Sequence, residues 1–99
     1  MIDKALLLYD ESMQQSGAHY QLFYYIINTY QYLINKEYEN FESLVADEFI
    51  PYLKEQKDYG NLVIYAEMLG EHFEHLGKYK ESVKYYKLAS RTYEQIVNL

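Results

Sequence analysis

The chain has no cysteine and no tryptophan, a single proline, four glycines, and fewer cations than anions. Without cysteine there can be no disulfide and no thiolate site. With Pro51 the lone proline, long helices meet one obstacle only. No stretch keeps a period-2 alternation, and β-branched residues are thinly scattered, which argues against strands. Nine Lys and Arg stand against fifteen Asp and Glu, for a formal charge of −6. That balance disfavours nonspecific nucleic-acid binding, which needs cations to neutralise phosphates. The acids are spread along the chain, as on a solvated surface. Apolar runs such as Ala5–Tyr9 are far too short to span a bilayer, so no membrane partner is expected. The N-terminus has acids on both sides of its apolar run and no cleavage-site pattern. It does not read as a signal peptide, and a cytoplasmic location is the expectation.

What is present is apolar and aromatic. Hydrophobic residues make up 49% of the 99 positions, and 14 residues are tyrosine. This is enough for one small all-α domain over residues 1–99. Tyrosine can pack its ring between helices while its hydroxyl reaches the rim, which suits a thin two-layer stack.

Five antiparallel helices are predicted. The first runs from about Asp3 to Gln15, with Ala5, Leu6, Leu7, Leu8, Tyr9 and Met13 making a stripe too broad for one buried side. The second runs from about His19 to Asn35, with a stripe through Tyr20, Phe23, Tyr24, Ile27, Tyr30 and Ile34. The third begins near Tyr38 and carries Phe41, Leu44, Val45, Phe49 and Leu53. Pro51 lies inside its pattern and predicts a kink near 47–51 or a restart at Pro51. Asp58 or Asn61 caps the fourth, which ends near Leu76. The fifth runs from about Tyr79 to Val97 on a core stripe of Val83, Tyr86, Ala89, Tyr93 and Ile96, with Lys80, Lys84, Lys87 and Arg91 opposite.

The stretch from Val63 to Val97 resembles a tetratricopeptide repeat. Ala66, Leu69, Gly70 and Phe73 fall at the spacing of its first-helix signature, and Ser82 and Tyr86 at that of its second helix. Alanine replaces the signature Trp, serine replaces an Ala, and the closing Pro is absent. Gly70 lets a neighbouring helix approach closely. Gly77 suits the left-handed residue that ends a helix. Tyr38 stands 41 positions before Tyr79, against 34 in a regular repeat, so the middle unit is longer. Ala5, Tyr9 and Ser12 look like Ser82, Tyr86 and Ala89, and on that reading the chain is expected to begin halfway through a repeat. The fold expected is a right-handed stack of tetratricopeptide-like hairpins.

Catalytic chemistry has no support. Asp47-Glu48 and Asp10-Glu11 are adjacent pairs that point in different directions on a helix. No Gly-rich phosphate loop or nucleophile elbow is present. His72 and His75 share a helical face at a spacing that can hold a metal. Only His19 remains among the histidines, and no further ligand cluster is offered, so neither metal nor cofactor is expected.

Binding is better supported. In stacked hairpins the first helices line a concave surface and the second helices form the back. By the register at Leu69 and Gly70, the groove-facing positions are Ile64, Glu67, Glu71, Glu74 and His75, with Phe23, Ile26, Tyr30 and Leu33 on the second helix. An acidic wall and an apolar wall suit a short peptide, or a protein helix, with a basic residue and an apolar anchor. The same positions would equally serve to meet another helix. The alternative is a structural module that homodimerises, or caps a larger repeat protein, through the broad stripe of the first helix.

The last sixty residues resemble the C-terminal repeats of the Rap-type response-regulator aspartate phosphatases and related bacterial peptide-sensing, or quorum-sensing, regulators. The likeness rests on Phe49-Ile50-Pro51-Tyr52-Leu53-Lys54-Glu55, Lys57-Asp58-Tyr59, Tyr65-Ala66-Glu67 with Phe73-Glu74, and Gly77-Lys78-Tyr79-Lys80. Tyr85-Tyr86-Lys87 and Glu94-Gln95-Ile96 continue it. Members carry an output domain before the repeats and bind short signalling peptides in the repeat groove. The expectation from ninety-nine residues is that they hold no such output domain. The resemblance therefore implies the sensing part alone, without phosphatase activity or DNA binding.

Overall fold

A computed structural model describes residues 17–98, with side chains from residue 20 onward. The predicted first helix, Asp3–Gln15, and the dimer surface assigned to it lie outside the described residues. All described elements are helical. They are α1 (Gly17–Ile34), α2 (Tyr38–Ser43), a π-helical turn (Leu44–Phe49), α3 (Ile50–Gln56), α4 (Tyr59–His75) and α5 (Tyr79–Val97). The chain divides into two compact units, Met1–Phe41 and Glu42–Leu99.

One turn is used three times. Lys36, Lys57 and Gly77 all have positive φ, at 59°, 56° and 75°. In each case the next residue donates its N–H back across the turn: Glu37 to Tyr32, Asp58 to Leu53, and Lys78 to Phe73, at 2.8, 3.0 and 2.9 Å. The positive-φ residues add Lys36 to Leu33, Lys57 to Lys54, and Gly77 to Glu74. This double bond closes a helix end by satisfying its last carbonyls. A tyrosine then opens the following helix at 38, 59 and 79. Asp58 caps the start of α4, its Oδ1 accepting from the Asn61 N–H at 3.4 Å, while Asn61 Nδ2 donates to Oδ2 at 2.8 Å. Of the two cap candidates Asp58 is the cap, and Asn61 is the residue it holds.

Pro51 neither breaks the helix nor restarts it after a gap. The backbone widens into the π turn just before it, and Ile50 N–H bonds to Val45 O, five residues back. The wider turn carries the Asp47 carbonyl away from the proline ring that would strike it in a regular helix. It also takes up one extra residue. The buried positions of α2 to α3 are Phe41, Leu44, Val45, Phe49, Ile50 and Leu53, and those of α4 are Leu62, Tyr65, Ala66, Leu69, Gly70 and Phe73. The two series match once a single residue is inserted between Val45 and Phe49. Turn spacing shows the same insertion: Lys57 follows Lys36 by 21 positions, and Gly77 follows Lys57 by 20.

In the second unit α4 packs along α5, and α3 with the π turn packs on α4. Val45, Phe49, Leu53, Ala66 and Leu69 are wholly buried. Each larger side chain among them contributes about 1.5–3 kcal/mol by leaving water. The Phe49 and Tyr65 rings meet at 4.5 Å between centroids, and Phe73 stacks on Tyr85 at 5.7 Å. Ser82 is buried at the α4–α5 crossing, and its hydroxyl donates to Gly70 O at 2.8 Å.

The expected stripe of α1 falls on the wrong side, and that of α5 is rotated, with Ala89 buried and Tyr86 half-buried as expected but the rest exposed. In α5 the buried residues are Ser82, Tyr85, Ala89 and Thr92, while Val83 and Tyr93 remain 48% and 58% exposed. In α1 the buried residues are Tyr25 and Thr29, while Tyr20, Phe23, Tyr24, Ile27, Tyr30 and Ile34 are exposed. The cause is shared. Thr29 and Thr92 donate their hydroxyls to Tyr25 O and Leu88 O, at 2.6 and 2.7 Å. A hydroxyl satisfied within its own helix can be buried without penalty, so polarity misplaces these positions. Leu76 caps the end of α4 and is exposed.

Candidate functional site

Every residue of the proposed groove set is exposed or half-buried. On α4, Ile64, Glu67, Glu71, Glu74 and His75 are all exposed. Gly70 and Phe73 turn the other flank of α4 toward α5, so the spacing 67, 71, 74 leaves the three carboxylates in one row. On α1, Phe23 and Tyr30 are exposed, while Ile26 and Leu33 are half-buried beside the Tyr25–Thr29 side. The α1 residues belong to the first unit and the α4 residues to the second.

The carboxylate row is not uniform. Glu74 Oε1 accepts a hydrogen bond from the Tyr86 hydroxyl at 3.0 Å. Tyr86 reaches it because its ring lies over Gly70, where a Cβ would stand 2.8 Å from ring carbons. Loss of solvation raises the Tyr86 pKa, and so does the bond to Glu74, with the charges of Glu74, Glu71 and Glu67 adding to the effect. All three carboxylates therefore act on one phenol, and the row presents a shared negative field along α4. Glu67 and Glu71 make no ion pair among the described residues.

His72 and His75 do not act together. His72 Nε2 lies 3.0 Å from Glu42 Oε2, with its side chain 11% exposed, so it joins α4 to Ser43's neighbour at the end of α2. His75 stays at the exposed end of α4. Among the described residues no group of three or more His, Asp or Glu could hold a metal ion. The bonds from His72 to Glu42 and from Tyr86 to Glu74 were not foreseen. The second depends on how closely the Tyr86 ring approaches Gly70, which repeat spacing alone does not encode. Nothing local to the sequence signals the first.

No described helix is long and apolar enough to cross a membrane. Over 104 aligned positions the chain is 32% identical to the transcriptional activator NprA of Geobacillus stearothermophilus. The alignment takes in 97% of this chain and 26% of that protein, so the chain spans about a quarter of the length of the curated relative it matches. No family model matches the chain. No solved structure matches it.

Proposed function

We propose that this chain is a non-catalytic helical-repeat module of a bacterial regulatory system, binding a short peptide or a protein helix in the cytoplasm. In this reading its hairpins stack as tetratricopeptide-like repeats, and it corresponds to the sensing part of a peptide-responsive regulator. The observation that carries the reading is the row Glu67, Glu71 and Glu74. Packing of Gly70 and Phe73 leaves it exposed, and two of its members have no ion-pair partner among the described residues. Exposed charge next to the apolar Ile64 recognises a cationic side chain beside an apolar one. On the first unit, taken by itself, Phe23, Ile26, Tyr30 and Leu33 are proposed as an aromatic and aliphatic contact face. The similarity to a transcriptional activator supports a regulatory role.

The test is titration of the intact chain with a panel of short peptides that carry a Lys or Arg and an apolar anchor. Saturable binding that weakens with salt supports the reading. No saturable binding by any member overturns it. Self-assembly through Asp3–Gln15 is the rival, and it predicts a dimer at low concentration in sedimentation.

A further inference from the structure

The second unit holds a cleft of about 360 Å³ between α3 and α5. Its size is within the range of ligand-binding sites. Lys54 approaches it from α3, and Lys84, Lys87 and Arg91 from α5, over a floor that includes Pro51 and Leu88. Four of the nine cations of a chain with formal charge −6 thus line one concavity. None of the four has an acidic partner within ion-pair distance among the described residues. A run of lysines on one helix face is commonly no more than solvated surface. Two features separate this one from that case. The cations come from two elements, and they surround apolar atoms.

We propose that this cleft binds an acidic peptide segment, with carboxylates between Lys54 and the α5 cations and an apolar side chain on Pro51 and Leu88. All four cations are exposed, and Lys84 Nζ already lies 5.2 Å from the centroid of the Tyr85 ring; an anion seated among them beside apolar atoms is screened by water less than on open surface. Arg91 offers the planar fork that matches a carboxylate. The apolar floor selects a side chain next to the charge. A nucleic acid fits less well, because phosphates beyond the cleft would run over a surface with excess negative charge. None of the cleft residues belongs to the proposed groove set. The two sites take peptides of opposite charge, and their tests fail independently.

The test is fluorescence anisotropy of the intact chain with capped, labelled peptides of about eight residues. One mixes Glu with Leu, and a second replaces each Glu by Gln. A single-stranded oligonucleotide of similar length and inorganic phosphate complete the set. The expected result is saturable binding of the Glu–Leu peptide, weakened by salt and lost on Glu-to-Gln replacement. The variant Lys54→Gln with Lys87→Gln and Arg91→Gln should weaken it by about tenfold or more. Lys80→Gln, outside the cleft, should leave it unchanged, as should Glu67→Gln with Glu71→Gln. Circular dichroism of each variant confirms folding, and a triple variant that unfolds is replaced by Lys87→Gln alone, with a smaller loss expected. Equal binding of the Gln peptide, unaltered binding by the cleft variants, tighter binding of the oligonucleotide, or full displacement by phosphate each overturns the proposal.

Discussion

The Tyr86 ring fills the space that a side chain on Gly70 would take. A Cβ built on Gly70 would lie 2.8 Å from both Cδ1 and Cε1 of that ring. The absence of a side chain at 70 therefore sets how closely α5 crosses α4, and the Ser82 hydroxyl then bonds the Gly70 carbonyl. Gly70→Ala should destabilise the protein by about 1–2 kcal/mol, the overpacking cost reduced by the better helix propensity of alanine. On a Tyr86→Ala background the same change should be neutral, or stabilising by up to ~1 kcal/mol. Urea unfolding of the four proteins measures this coupling.

The π turn makes a different prediction. If it exists to absorb one residue before Pro51, removing Glu48 and replacing Pro51 by Ala should restore a regular helix with the burial series of α4. Stability should stay within about 1 kcal/mol of the parent, because every buried side chain keeps its place. Deleting Lys54 instead shifts only the end of α3 against its turn. It should cost several kcal/mol by misplacing the turn at Lys57. Thermal unfolding followed by circular dichroism compares the two deletions.

The three helix-ending turns differ in one residue. Gly77 adopts positive φ without strain, while Lys36 and Lys57 adopt it with a Cβ. Lys57→Gly should stabilise by about 0.5–1 kcal/mol, and Gly77→Ala should destabilise by a similar amount. Opposite signs in denaturant midpoints are the expected readout.

Alkaline pH should loosen the second unit. Burial raises the Tyr85 phenol above its ordinary value of 10.0, with the charges of Asp47, Glu42 and Glu81 adding to it. Tyr86 is raised likewise, by desolvation first and then by its bond to Glu74. Both phenols keep their protons longer folded than unfolded. Their contribution is intact below pH 10 and is lost as pH rises from 10 toward the folded values. Tyr85→Phe with Tyr86→Phe should flatten the fall in stability above pH 10 in a denaturant series.

The helices and their turns were legible because local chemistry fixes them. Gly77, Asp58 and the apolar spacing each act within a few residues. The cap at Asp58 and the disturbance before Pro51 followed from such signals. The faces were less legible. α1 is apolar nearly all round, and in α5 the buried Ser82 and Thr92 are polar by composition but satisfied by carbonyls. Which side is buried was then decided by helix crossing, which period alone does not encode. The exposed row Glu67, Glu71 and Glu74 was legible because Gly70 and Phe73 fix the opposite flank of the same helix. The clamp of Tyr86 on Glu74 was not, since it depends on how closely α5 approaches.

Glu67 and Glu71 are exposed and unpaired among the described residues, so they separate binding from folding. The decisive measurement is the affinity of Glu67→Gln with Glu71→Gln for the tightest basic–apolar peptide, beside its thermal midpoint. The account predicts an affinity lower by about tenfold or more, with the midpoint within about 2 °C of the parent. An unchanged affinity at full helicity would contradict it.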